Sequence, residues 1–364
     1  MRVGVVGCGT IAQVMHLPYL AEIPGFDLDA LVDPAANVRG ELGDRYGVEH
    51  RFGTVEALLE ERARALDGVV VCTPPQVHAD AAIPALEAGL HTFVEKPLAL
   101  TVREADRLVD AAAASPATAM VGYNKRYDPS YERMADRVDA LSGVDLVTAY
   151  DTDPDHGRII EEVYDIVRGD LPESVLDESR TRRHERCTEA IGTDDDALAE
   201  AYSFQVEHVC HDVNALRGLF GAVEGIRHAD VFADGRYATA HCVYEGGVPC
   251  VLETGVADRK WFEEWLRVDG PDGMVRLEFG NPYIRNAPTE LRVKTGTEEL
   301  DDAVDFPSYE ESFKRELERF LACAEDGATV RTPFAEARED VRLIADLFRA
   351  HRGGPTHGDY SEVQ

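Results

Sequence analysis

The chain opens with Met1-Arg-Val-Gly-Val-Val-Gly-Cys-Gly-Thr-Ile-Ala12, and an apolar run that follows closes on Asp33. Val3, Val5 and Val6 read as a buried strand, Gly7 lets the chain turn sharply, and Gly9 leaves room for a phosphate to approach the backbone. Thr10 and Ile11 lead into Ala12, the third small position, where a new helix must lie close to the strand. That helix, through Leu20, would offer its unpaired amides and positive dipole end to a pyrophosphate. Asp33 stands about 20 residues further on, where a carboxylate accepts hydrogen bonds from an adenosine ribose. The stretch therefore predicts a dinucleotide site built from Gly7, Gly9, Thr10, Ile11, Ala12 and Asp33.

Outward from this turn, strand and helix alternate through the first third of the chain. Strands are expected at Phe26 to Val32, Gly68 to Cys72, His91 to Val94 and Thr118 to Tyr123. Helices are expected at Ala35 to Tyr46, Thr54 to Leu59, Gln76 to Ala88 and Val102 to Ala114. This rhythm is that of an α/β Rossmann domain with a doubly wound parallel sheet, over residues 1–123. Strands then follow one another through turns such as Glu245-Gly-Gly247 and Asp272-Gly273, at Asp145 to Asp151, Val223 to Phe232, Tyr237 to Tyr244, Val248 to Thr254, Trp265 to Val268, Met274 to Phe279 and Leu291 to Val293. They predict a second α/β domain with a largely antiparallel open sheet over 124–352, closed by helices near Tyr309 to Asp326 and Phe334 to Ala350, with a tail at 353–364. Residues 152–203 read as a helical insertion. Ile159, Ile160, Val163, Ile166 and Val167 would share one helix face, while Asp170 to Asp196 carries no clear period. One long helix is expected from about Asp195 to Phe220.

Three further stretches stand at strand ends, where ligands bind in sheets of this kind. The prolines of Cys72-Thr-Pro-Pro-Gln-Val-His78 force a bend beside the adenosine side of the site. Glu95-Lys-Pro97 puts an ammonium, Lys96, where it could stabilise an alkoxide. Gly122-Tyr-Asn-Lys-Arg126 lies at the hand-over between domains. On the long helix, Glu207-His-Val-Cys-His-Asp212 sets Glu207 and His211 one turn apart, so that His211 could take a hydroxyl proton with the carboxylate orienting it. Glu207, His208, Cys210 and His211 are too close in sequence to converge on an ion, and no metal is expected.

The net charge of −32 comes from 69 acidic and 37 basic residues, of which only five are lysine: Lys96, Lys125, Lys260, Lys294 and Lys314. Such a balance excludes nucleic acid and anionic membranes as partners and reads as adaptation to high salt. No run of 18 apolar residues exists for a membrane span. The first strand begins at residue 2, which leaves no room for a signal peptide and predicts a cytoplasmic protein. Seven scattered cysteines, without a C-x-x-C pair, read as reduced.

Together these stretches resemble the glucose-fructose oxidoreductase, inositol dehydrogenase and MocA family (Gfo/Idh/MocA), over nearly the whole chain. Gly7, Gly9 and Ala12 match its nucleotide fingerprint, Thr73, Pro74 and His78 its second cofactor loop, and Glu95-Lys-Pro97 its hallmark. The resemblance implies NAD(P)-dependent oxidation or reduction of a carbinol on a sugar, cyclitol or related polyol. It implies cofactor contacts also from Glu95, Lys96 and Asn124, and substrate contacts from Lys96, Tyr123, Lys125, Arg126 and His211. Lys96, His211 and Glu207 would be catalytic. Asp33 favours NAD over NADP, since its charge repels a 2′-phosphate, although Arg39 stands near enough to meet one. The family commonly has Asp where Glu207 stands, and its glycine-rich approach to this helix is replaced here by the acidic segment 152–203. A non-catalytic sensor or scaffold of the same fold is the alternative reading. The open sheet suggests a homo-oligomer, a dimer or tetramer.

Overall fold

A computed structural model describes residues 1–154, 156–354 and 356. Most of the tail set apart at 353–364 lies outside these residues. The chain forms two compact units. One comprises residues 1–123, 161–186 and 313–341; the other comprises 124–160, 187–312 and the chain from 342 on. No helix among the described residues is long and apolar enough to cross a membrane.

The first unit holds a six-stranded sheet whose pairings are all parallel, in the order β3-β2-β1-β4-β5-β6. Its strands are β1 (Arg2–Val6), β2 (Asp27–Val32), β3 (His50–Phe52), β4 (Gly68–Val71), β5 (His91–Glu95) and β6 (Ala119–Gly122). The valine-rich strands β1 and β4 are buried because helices cover both faces of such a sheet. The order reverses between β1 and β4, and ligands of open α/β sheets bind at that switch point. A π-turn, Ala12–His16, leads into α1 (Leu17–Glu22); α2 (Ala36–Tyr46), α3 (Val55–Arg62), α4 (His78–Glu87) and α5 (Val102–Ala114) follow. Thr54 and Thr101 cap α3 and α5 by accepting from Ala57 N and Glu104 N. The outer edge of β6 is covered: Val121 N donates to Thr332 O at 3.0 Å, and the Thr332 hydroxyl returns a bond to Val121 O at 2.7 Å.

The second unit holds an eight-stranded sheet in the order β14-β13-β12-β11-β7-β10-β9-β8. Its strands are β7 (Leu146–Asp153), β8 (Val223–Phe232), β9 (Tyr237–Tyr244), β10 (Val248–Val256), β11 (Glu263–Gly270), β12 (Gly273–Glu278), β13 (Glu290–Thr295) and β14 (Asp301–Asp305). All neighbours are antiparallel except β7 and β10. The remaining α-helices among the described residues are α6 (Pro129–Asp139), α7 (His156–Val163), α8 (Glu173–Ile191), α9 (Asp196–His208), α10 (Cys210–Phe220), α11 (Ser312–Asp326) and α12 (Phe334–His351).

Three expectations are corrected here. The long helix from Asp195 to Phe220 is two helices, α9 and α10, which meet at Val209. Ile166 and Val167 do not extend α7, which ends at Val163, because residues 164–172 run without regular structure. The stretch without a clear period contains α8, a helix of 19 residues with only Cys187, Ala190 and Ile191 buried. The short β3, the helix α6 and the acidic β14 were not anticipated.

Candidate functional site

The glycine-rich turn has the geometry a dinucleotide needs. Gly7 has φ +87°, and a Cβ there would stand 2.7 Å from Thr73 N and 2.8 Å from the Cys72 carbonyl. The turn thus brings the β1 and β4 ends together in a way only glycine permits. A Cβ on Gly9 would meet nothing within 4 Å, so the space over this residue is open. Gly9 and Thr10 are exposed, Ile11 is half-buried and Ala12 is fully buried against the sheet. Asp33, at the end of β2, accepts from Cys8 N at 2.9 Å through one oxygen and from Ala35 N at 2.8 Å through the other. Each oxygen keeps a lone pair for a ribose hydroxyl. Arg39 donates to Asp33 O and Pro34 O, which holds its guanidinium beside the same strand end. These residues fit the adenosine and pyrophosphate of a dinucleotide.

Lys96 follows β5 directly and is half-buried. Its backbone amide donates to Glu95 Oε2 at 3.0 Å, while Glu95 Oε1 lies 2.5 Å from His16 Nε2. Burial opposes ionisation of Glu95, but the hydrogen bond and charge of His16, with Lys96, hold its carboxyl below the ordinary value. The π-turn that carries His16 is thereby tied to the strand end that carries Lys96. His78, an expected cofactor contact, sits behind the Thr73-Pro74 loop. It is fully buried, with Nε2 2.7 Å from Thr73 O and Nδ1 3.0 Å from Pro97 O, so it braces the Thr73-Pro74 loop against the turn after Lys96. Thr73 is half-buried and Pro74 exposed.

Part of the insertion folds onto this unit. The buried Gln13 amide donates to Cys8 O at 2.8 Å and to Val167 O at 3.0 Å, and its oxygen accepts from Val167 N at 2.8 Å. Asn37 donates to Arg168 O, Gln76 to Ser179 Oγ, and Arg186 pairs with Glu104. Residues 164–172 and the first part of α8 therefore run across the adenosine edge of the sheet. Sequence reading gave Gln13 no role, since an amide inside a helix carries no distinguishing pattern.

In the second unit, Glu207 lies in the last turn of α9 and His211 in the first turn of α10, on either side of Val209; both are half-buried. Tyr123, assigned to the first unit, is buried. Asn124 is buried and donates to Ser312 Oγ at 2.8 Å. Arg126 donates to Asn214 O at 3.0 Å and packs over Tyr131, and so anchors α10. Lys125 is buried and ion-paired with Glu264, its ammonium 5.2 Å from the Phe279 ring centre. The negative charges of Glu264, Asp151 and Asp212 overcome its burial and raise its pKa. Its charge is thus paired with Glu264 inside the protein. Asp151 and Glu264 lie by Lys125, and Asp153 follows Asp151 on the same face of β7; sequence reading singled out none of the three. The available signal was strand parity: Val147, Ala149, Asp151 and Asp153 share one face of β7, where the last two carboxylates occupy core positions.

Residues 1–123 match a family profile, GFO_IDH_MocA, described as an oxidoreductase family with an NAD-binding Rossmann fold. Over 139 residues the chain is 33% identical to 4-carboxy-2-hydroxymuconate-6-semialdehyde dehydrogenase of a Sphingobium species, covering 38% of this chain and 43% of the relative. It is 29% identical over 139 residues to myo-inositol 2-dehydrogenase of Thermotoga maritima, covering 38% and 41%. The match thus spans less than half the length of these relatives. Among solved structures, aldose-aldose oxidoreductase from Caulobacter crescentus with glycerol superposes with a TM-score of 0.75 at 20% identity, covering 98% of both chains. The scyllo-inositol dehydrogenase of Lactobacillus casei, with bound NAD(H) and scyllo-inositol, gives 0.72 at 18% identity and 97% of both. Residues 1–123 therefore match the NAD-binding Rossmann fold described for this oxidoreductase family, and the whole chain shares its fold with these dehydrogenases.

Proposed function

We propose that the chain is an NAD(P)-dependent oxidoreductase that interconverts a secondary hydroxyl and the corresponding ketone on a sugar, cyclitol or related polyol. The observation that carries this reading is the Glu95-Lys-Pro97 turn at the end of β5, with Glu95 locked by His16, inside a domain that matches an NAD-binding oxidoreductase family. When bound, the nicotinamide supplies the acceptor for the carbinol hydrogen and its electron pair. Lys96 donates a hydrogen bond to the reacting oxygen and stabilises its developing negative charge. His211 receives the hydroxyl proton in oxidation and returns it in reduction, and Glu207 orients its ring. Asp33 binds the adenosine ribose and favours NAD, because a 2′-phosphate would meet its carboxylate. The free, buried cysteines support a reducing compartment such as the cytoplasm. The acidic, lysine-poor composition supports operation at high salt, and the open eight-stranded sheet supports self-association.

The test is NAD and NADP reduction in concentrated KCl over a panel of aldoses, cyclitols, sugar acids and polyols, with Lys96→Ala and His211→Ala beside the parent. Turnover in the parent that each variant lowers by about 10²–10⁴-fold is expected. Tight NAD binding without turnover of any carbinol or ketone in the panel would overturn the catalytic reading.

A further inference from the structure

In the second unit, β7 lies between β11 and β10, and one face of it presents Val147 and Ala149 and then two carboxylates, Asp151 and Asp153. Asp151 stands directly opposite Glu264 of β11. Like charges in that register repel, and these two are buried, at 2% and 0% exposure. Asp212 of α10, also fully buried, joins them. Asp212 and Glu264 are hydrogen-bonding neighbours, while Oδ1 of the buried Asp151 receives no hydrogen bond among the described residues. Lys125 offsets one of these charges, through Glu264. Asp153 instead faces two imidazoles, with its Oδ2 2.5 Å from His208 Nδ1 and 3.1 Å from His156 Nε2.

One ligand atom from each of Asp151, Asp153 and His208 lies within 4.8 Å of the others, and the same holds for Asp151, Asp212 and Glu264. A cation in the second group would face the Lys125 ammonium. The first group has an imidazole where the second has the Glu264 that is ion-paired with Lys125, and it is reached from solvent through the partly exposed side chains of Asp153, His156 and His208. We propose that Asp151, Asp153 and His208 form a site for one divalent transition-metal cation, with His156 beside it and Asp212, Glu264 and Lys125 setting the charge behind it. Mixed oxygen and nitrogen donors select Zn²⁺, Mn²⁺ or Co²⁺ over Mg²⁺ or Ca²⁺, which take oxygen ligands. Three protein ligands leave a coordination position open. The site draws on two neighbouring elements, β7 and α9, so an ion there clamps the end of α9 to the central strand. It stands apart from the redox proposal, since its readout is binding.

The experiment strips the full-length protein with EDTA and titrates it with Zn²⁺, Mn²⁺, Co²⁺, Mg²⁺ and Ca²⁺, following melting temperature and, for Co²⁺, visible absorption. The expected result is one equivalent of a transition metal, a higher melting temperature and a Co²⁺ band. Affinity should fall on the order of 100-fold in His208→Ala and Asp153→Asn. Asp151→Asn separates this from a cluster that merely shares protons. If only protons are shared, removing a repelled charge raises the metal-free melting temperature and added metal does nothing. With a metal site, the variant loses the metal-dependent rise. No metal response in the parent, or unchanged affinity in both His208→Ala and Asp153→Asn, would overturn the site. Circular dichroism of each variant separates lost binding from lost folding.

Discussion

At the scale of single residues, Gly7 and Gly9 serve opposite ends, and alanine separates them. At Gly7 a methyl group would be driven into the backbone of Cys72 and Thr73 from a left-handed conformation, which costs about 1–2 kcal/mol for the dihedral alone. Gly7→Ala is expected to lower stability by more than that in urea denaturation, and to lose NAD binding with it. At Gly9 a methyl group meets no protein atom, so Gly9→Ala should unfold at the parent's urea midpoint while binding NAD at least about tenfold more weakly, because the space over the turn is what a pyrophosphate needs. A Gly9→Ala protein with parental NAD affinity would remove the pyrophosphate from this turn. A second buried group gives a pH test. Glu316, fully buried in α11, has a carboxyl pushed well above its ordinary 4.5 by burial and by the neighbouring Glu95. Below 4.5 the group is protonated in both folded and unfolded chains and costs nothing. As pH rises from there through the raised folded value, the unfolded state ionises first and stability is lost. Glu316→Gln should therefore leave stability unchanged near about pH 4 and raise it by about 1–2 kcal/mol at neutral pH. Equal effects at both pH values would refute the assignment.

At the scale of elements, what could be read in the sequence follows from how each segment is buried. β1 and β4 are covered on both faces, so their runs of valine announce them, and the Thr54 and Thr101 caps fix where α3 and α5 start. The turn at Gly7 and the strand end at Lys96 were legible because their chemistry is local in sequence. α8 was not, because it buries so little that no apolar stripe forms. β14, Asp301-Asp-Ala-Val-Asp305, is an exposed edge strand whose charge disguises it. The break at Val209 is hidden because its φ of −63° and ψ of −15° remain helical in sense and no glycine or proline marks it. The cluster on β7 escaped because its members are brought together by strand register and not by spacing along the chain. The clasp between Gln13 and Val167 belongs to the same class, its partners standing 154 positions apart in the chain. It holds the strand-free segment 164–172 to the turn that carries the dinucleotide fingerprint. Gln13→Ala removes three hydrogen bonds and should lower stability by about 1–3 kcal/mol. It should also speed amide exchange in residues 164–172 while β1 and β4 stay protected. Unchanged exchange there would mean that other contacts, such as Asn37 with Arg168, hold the segment by themselves.

For the whole molecule, charge sets the response to solvent. An excess of 32 negative charges is spread along the chain, and the lysines offer little relief: Lys125 is buried on Glu264 and Lys96 stands half-buried at a strand end. Arginine pairs such as Arg62 with Asp29, Arg186 with Glu104 and Arg338 with Asp106 neutralise local carboxylates but leave the excess. Folding gathers these charges and unfolding separates them, so their repulsion works against the compact state, and salt should relieve it. The screening length falls from about 10 Å at 0.1 M to about 3 Å at 1 M salt, so repulsion between charges on opposite sides of a unit vanishes first and repulsion between nearest neighbours later. The melting temperature is therefore expected to climb steeply between about 0.1 and 1 M KCl and more slowly beyond, with KCl and NaCl acting alike because screening depends on ionic strength. A continued linear rise beyond that range, stronger in sulfate than in chloride, would instead point to salt exclusion strengthening apolar burial. A melting temperature that stays flat or falls with salt would show that the acidic surface is tolerated without screening and would remove the case for a protein built for concentrated brine.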